Sequence, residues 1–117
     1  QQIAIQDATY NAVLNGVDNC TFHCGDVRNE LNGDFIRKHG KPDVLVVDPP
    51  RVGMHKDVSQ ALLSLAPERI VYVSCNPATQ VRDLGILCQK YDIDLVQPVD
   101  MFPQTYHIEN VVGLRRK

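Results

Sequence analysis

RIVYVSCNPAT, residues 69–79, changes character in its middle. Ile70 to Val73 is a run of β-formers, and Cys75 stands where that run meets Asn76-Pro77, with the proline placed to open a helix. The stretch predicts a strand over 69–74 and a helix over 77–89. Upstream, DVLVVD (43–48) is a continuous apolar run of the kind that suits a strand covered on both faces in a parallel sheet. It ends at the Pro49-Pro50 turn, and Val58 to Leu65 after it is helical in spacing.

The same reading extends to both ends. IAIQDATYNAVLN (3–15) carries apolar positions at helical spacing and stops at Asn15-Gly16, a left-handed cap. CTFHC (20–24) is short and β-prone, residues 27–39 form a weaker helix broken at Gly40-Lys41-Pro42, and Asp94 to Met101 and Glu109 to Leu114 are two strands with no helix between them. Helix and strand alternate until that final pair. The order describes a doubly wound α/β sheet that finishes in an antiparallel pair.

With 117 residues, 44% of them hydrophobic, the chain is one domain at most. Twelve Lys and Arg against fourteen Asp and Glu leave a net charge of -2, so no global basic field points to nucleic acid or an anionic membrane. No apolar run approaches the roughly 20 residues that span a bilayer, and a cytoplasmic setting without membrane partners is expected. Cys20, Cys24, Cys75 and Cys88 fit neither a disulfide framework nor a zinc ribbon, so no metal site is expected.

In open α/β sheets, ligands bind beyond the carboxyl ends of the strands. Here those ends read Gly25-Asp26, Asp48-Pro49-Pro50-Arg51 and Ser74-Cys75-Asn76-Pro77. A carboxylate, a second carboxylate with an arginine, and a thiol converge on one edge. Each has a plainer reading: Asp26 and Asp48 as helix or loop caps, Cys75 as a small buried hydrophobe. Cys75 differs from the other three cysteines in ending a strand beside a helix N-terminus, whose partial positive charge favours a thiolate. Cys20, Cys24 and Cys88 read as structural.

DPPRVG (48–53), VSCNPAT (73–79) and MFPQTYHIEN (101–110), in this order and spacing, resemble the RNA uracil-5-methyltransferases that use S-adenosylmethionine. NAVLNGVDNCTFHCGD (11–26) resembles the helix, loop and third strand of their catalytic domain, so the likeness runs over nearly the whole chain. It implies a Rossmann-like class I methyltransferase sheet of order 3-2-1-4-5-7-6, acting on rRNA or tRNA. It also implies a nucleophile, Cys75, that adds to carbon 6 of uracil, and a base, Glu109, that removes the proton from carbon 5. By the same resemblance Asp48 and Arg51, with Asn76, bind the uracil, while Asp26, Asp48 and Pro49 contact the cofactor. His107 reads as a turn residue. Phe102 and Tyr106 either stack on a flipped nucleotide or pack under the last hairpin.

The family's glycine-rich cofactor loop and the acidic residue of its second strand have no counterpart here. Residues 1–117 are therefore expected to be the C-terminal part of a catalytic domain, silent alone, and prone to self-association through a bared sheet edge. Two other classes stay open: an amino-methyltransferase using the Asp-Pro-Pro turn, and a degenerate module that binds RNA or protein. The first has an aromatic residue after the prolines, where this chain has Arg51; the second has no need of Cys75 together with Glu109.

Overall fold

The computed structural model describes residues 1–31 and 33–117, in two compact units, Gln1–Glu30 and Leu31–Lys117. The first unit holds helices α1 (Gln2–Leu14) and α2 (Val27–Glu30). As the sequence predicts, α1 runs to Asn15, and Gly16 takes the left-handed conformation with φ 65°. The strand predicted at Cys20–Cys24 does not form, and the segment is irregular. β-formers make a strand only when a neighbour takes up their backbone groups, and no described residue pairs with this stretch.

The second unit runs α3 (Gly33–His39), β1 (Val44–Val47), α4 (Lys56–Leu65), β2 (Arg69–Ser74), α5 (Pro77–Leu87), β3 (Tyr91–Val99) and β4 (Glu109–Arg116). The single helix predicted over 27–39 is thus two, α2 and α3; Asn32, between them, lies outside the described residues. The sheet order is β1-β2-β4-β3, with β1 and β2 parallel and β4 antiparallel to both its neighbours. That matches the 4-5-7-6 half of the expected order. β3 begins three residues before its predicted start because Tyr91 is buried there, its hydroxyl donating to the Pro67 carbonyl at 2.8 Å. Pro98 is accommodated because β3 is an edge strand, where a missing N–H breaks no interior ladder.

The described residues do not cover the strands on both faces as the apolar runs suggested. Ile70, Tyr72 and Ser74 of β2 are buried while Val71 and Val73 between them are half-buried. On β1, Val44 and Val46 remain 52% and 67% exposed. One face of the sheet carries the core, in which Ile70 and Tyr72 pair in register with Leu114 and Val112 and meet Leu62, Leu63, Leu84 and Leu87 of α4 and α5. The chain crosses the sheet in one direction from β1 through β2, and right-handed crossovers then place both helices on the same side.

A buried carboxylate locks this layer to the loop after β1. Asp83 of α5, 1% exposed, accepts from the Tyr72 hydroxyl and from the Met54 amide, both at 2.7 Å. Its other oxygen takes Arg82 Nε at 3.0 Å and Nη2 at 2.8 Å, and the same Nη2 donates to the Val52 carbonyl at 2.9 Å. A buried charge is tolerated only when satisfied in this way. Gly53 makes the approach possible, because its φ is 79° and a Cβ there would lie 2.7 Å from the Asp83 oxygen.

Burial, reinforced by the Asp83 carboxylate, pushes the Tyr72 phenol far above its ordinary 10.0, and burial raises Tyr91 as well. A tyrosine whose folded value is raised contributes full stability below the unfolded value and loses it as pH climbs past that point. Urea unfolding is therefore expected to show stability falling above pH 10 by up to about 1.4 kcal/mol per pH unit for each of the two tyrosines. Tyr72→Phe removes one share of that slope and costs about 1–3 kcal/mol at neutral pH by taking a donor from Asp83. A slope identical in the variant would contradict the assignment. Gly53→Ala is expected to cost about 2 kcal/mol or more in the same measurement, from strain and crowding together.

Candidate functional site

The carboxyl ends of β1 and β2 and the start of β4 meet at one edge of the sheet. Two prolines stop β1, and the chain turns from Pro50 to Gly53 through a 2.8 Å backbone hydrogen bond, which brings Arg51 toward α5. At the end of β2 the Ser74 hydroxyl accepts from the Asn76 amide and donates to the Asn76 carbonyl, each at 3.1 Å, fixing the turn on which Cys75 sits. Asn76 then caps α5, its Oδ1 accepting from the Ala78 amide at 3.2 Å. Pro77 follows at the first helical position.

These turns hold one another. The Arg51 carbonyl accepts from Asn76 Nδ2 at 3.1 Å and from the Thr79 hydroxyl at 3.0 Å. On the other side, buried Gln80 donates to the carbonyls of Tyr72 and Asn110 at 3.0 Å and 3.2 Å and accepts from Asn110 Nδ2 at 2.7 Å. The first turns of α5 are thereby pinned to the β1 loop, to β2 and to β4.

Between them opens a cavity of about 300 Å³ whose lining includes Arg51, Cys75, Asn76, Tyr106 and His107. Arg51 Nη2 lies 3.0 Å and 2.9 Å from the two ring nitrogens of His107, so the β1 loop and the β3–β4 connection meet across its mouth. Of the predicted site residues, Cys75, Arg51 and Asn76 share this lining. Both ends of the Asn76 amide are already engaged. Glu109 does not line the cavity, yet it opens β4, and the last register pair of β2 with β4 is Ser74 with Asn110. Cys75 and Glu109 are the next residues beyond that pair on adjacent strands.

Asp48 follows β1 directly; its carboxylate is exposed and has no hydrogen-bond or ion-pair partner among the described residues. It and Pro49 are thus available to a ligand at the sheet edge. Asp26 lies in the first unit, where its carboxylate caps α2 through the Arg28 amide at 3.0 Å and pairs with the Arg28 guanidinium. Its capping reading is realised. Cys20 and Cys24 are exposed rather than buried, and Cys88 packs half-buried against the core.

Sequence reasoning passed over Thr79, Gln80 and Asp83. Their signal was present: with Asn76 they recur every three or four residues, placing polar groups along one face of α5. A polar stripe on an otherwise packed helix has to find partners inside the fold. Among the described residues no cluster of His, Cys, Asp and Glu is arranged to hold a metal ion, and no helix is long and apolar enough to cross a membrane.

The chain is 57% identical over 111 residues to an RNA methyltransferase of Bacteroides thetaiotaomicron and 56% identical over 115 residues to one of Porphyromonas gingivalis. It spans 95% and 97% of its own length in these matches and about a quarter, 24% and 25%, of theirs. Its fold superposes with a TM-score of 0.83 and 39% identity on Pyrococcus abyssi tRNA (uracil-54, C5)-methyltransferase, solved with S-adenosyl-L-homocysteine, over 97% of this chain and 26% of that one. The family model of the tRNA (uracil-5-)-methyltransferases matches residues 28–117, which include the whole sheet and the Cys75 cavity. The chain belongs to that family.

Proposed function

We propose that the protein carrying this chain transfers a methyl group from S-adenosylmethionine to carbon 5 of a uridine in tRNA or rRNA, through a covalent adduct on Cys75. Residues 1–117 are then the C-terminal part of its catalytic domain, working in the cytoplasm. The observation that carries the reading is the placement of Cys75 in a cavity at the strand-end edge, one residue beyond Ser74, whose register partner Asn110 follows Glu109.

Cys75 Sγ, as thiolate, adds to carbon 6 of the uracil and moves an electron pair onto the ring as an enolate, which makes carbon 5 nucleophilic. S-adenosylmethionine, when bound, would supply the electrophilic methyl group that carbon 5 takes, the S–CH3 bond breaking to leave the neutral thioether S-adenosylhomocysteine. Glu109 then removes the proton from carbon 5, and the thiolate leaves carbon 6 as the double bond re-forms. Arg51 faces the enolate oxygen, with its loop fixed by Asn76 and Thr79. Asp48 accepts from the polar edge of the base and, with Pro49, borders the cofactor. The unpaired Asp48 carboxylate suits an acceptor role.

The test uses RNA containing 5-fluorouridine and the complete protein with S-adenosylmethionine. Fluorine in place of the abstracted proton is expected to trap a protein–RNA adduct, and Cys75→Ala to abolish both adduct and methyl transfer. Glu109→Gln is expected to slow turnover on ordinary uridine by about 100- to 10,000-fold while methylated RNA accumulates covalently on the protein. Methyl transfer by Cys75→Ala at an undiminished rate would contradict the proposal.

A further inference from the structure

Arg51, His107 and Tyr106 form a row at the mouth of the cavity. Because Arg51 Nη2 is almost equidistant from the two nitrogens of His107, it lies against the imidazole ring rather than in line with one lone pair. The His107 and Tyr106 ring centroids are 4.2 Å apart, their planes inclined at 48°. Guanidinium, imidazole and phenol are thus linked by successive contacts.

The backbone beneath this row is ordered. The Thr105 amide and hydroxyl both donate to the Phe102 carbonyl, at 2.9 Å and 3.0 Å, and the His107 amide donates to the Thr105 hydroxyl at 3.2 Å. Tyr106 sits inside that turn and is 91% exposed. A lone exposed aromatic on a surface calls for no explanation. This one lines the same cavity as Cys75 and leans at a tilt on His107, which leaves most of its ring open to a ligand beside the cavity.

A cavity of about 300 Å³ stands at the small end of ligand sites, which leaves the nucleotides flanking an inserted one outside it. Proteins that read single-stranded RNA meet such splayed bases with aromatic faces. We infer that Tyr106 is the stacking platform for a nucleotide adjacent to the uridine held at Cys75. The inference rests on the uridine reading of the cavity. It assigns Tyr106 to the neighbouring base, not to the base being methylated, because so exposed a ring cannot wall a base in.

The experiment uses the complete protein, S-adenosylmethionine and oligonucleotides in which 5-fluorouridine is preceded or followed by the fluorescent base 2-aminopurine. In the covalent adduct, one of the two positions is expected to be quenched by wild-type protein and by Tyr106→Phe, and to stay bright with Tyr106→Ala. Tyr106→Ala is expected to weaken RNA binding by about 5- to 150-fold. An abasic site at the quenched position is expected to cost a similar factor, with no further loss when both changes are combined. Equal fluorescence in wild type and Tyr106→Ala at both positions, or losses that multiply, would overturn the platform while leaving the adduct chemistry standing. Absence of any adduct with wild-type protein would overturn the uridine reading and this inference with it.

Discussion

The carboxylate of Asp83 is the contact on which the site's geometry depends. It is a charge removed from water, and it is stable there because three separate pieces of chain supply donors: the Tyr72 hydroxyl from β2, the Met54 amide from the loop after β1, and the Arg82 guanidinium from its own helix. Any of these pieces moving away leaves the buried carboxylate short of a donor, at a cost of about 1–3 kcal/mol. The loop that carries Asp48 and Arg51 is therefore held to α5, and α5 begins two residues after Cys75. A hydrophobic contact of similar area would resist separation without fixing direction, whereas hydrogen bonds of 2.7–2.8 Å fix both.

From that anchor the remaining contacts are short-range. Ser74 and Asn76 set the turn at Cys75, Thr79 and Asn76 hold the Arg51 carbonyl, and Gln80 ties the helix to the residue after Glu109. Each is a side-chain-to-backbone bond, and none of them engages the Cys75 thiol or the Asp48 and Glu109 carboxylates. Division of labour follows. One set of polar residues on α5 positions, and the residues at the strand ends are left to meet substrate.

Much of this was legible in the sequence because it is local. The β2 run, the Pro77 helix start and the Asn15-Gly16 stop have signals confined to a few residues, and all appear where expected. The strand at Cys20–Cys24 failed because its formation depends on a neighbour that no local pattern reveals. The covered strands failed for a related reason: Val-rich runs report β-propensity, while burial on the second face depends on which side the helices fall. Cys75, Arg51 and Asn76 in one cavity were foreseeable from strand-end logic. The Arg51–His107 contact joins residues 56 positions apart across two loops, and only the folded register brings them together. Asp83 belongs to a polar stripe visible in the sequence, but its partners Tyr72 and Met54 lie 11 and 29 positions away and only the fold brings them to it.

Native-state hydrogen exchange at the Met54 amide tests the clamp most directly, since that proton sits in the bond between the β1 loop and the buried carboxylate. If Asp83 holds the loop as tightly as the structure implies, Met54 is expected to exchange only through opening of the core, at a rate comparable to the amides of Ile70 to Tyr72. Exchange as fast as that of the exposed amides near Gln104 would mean that the loop bearing Asp48 and Arg51 moves independently of α5, and that the site is not built on this contact.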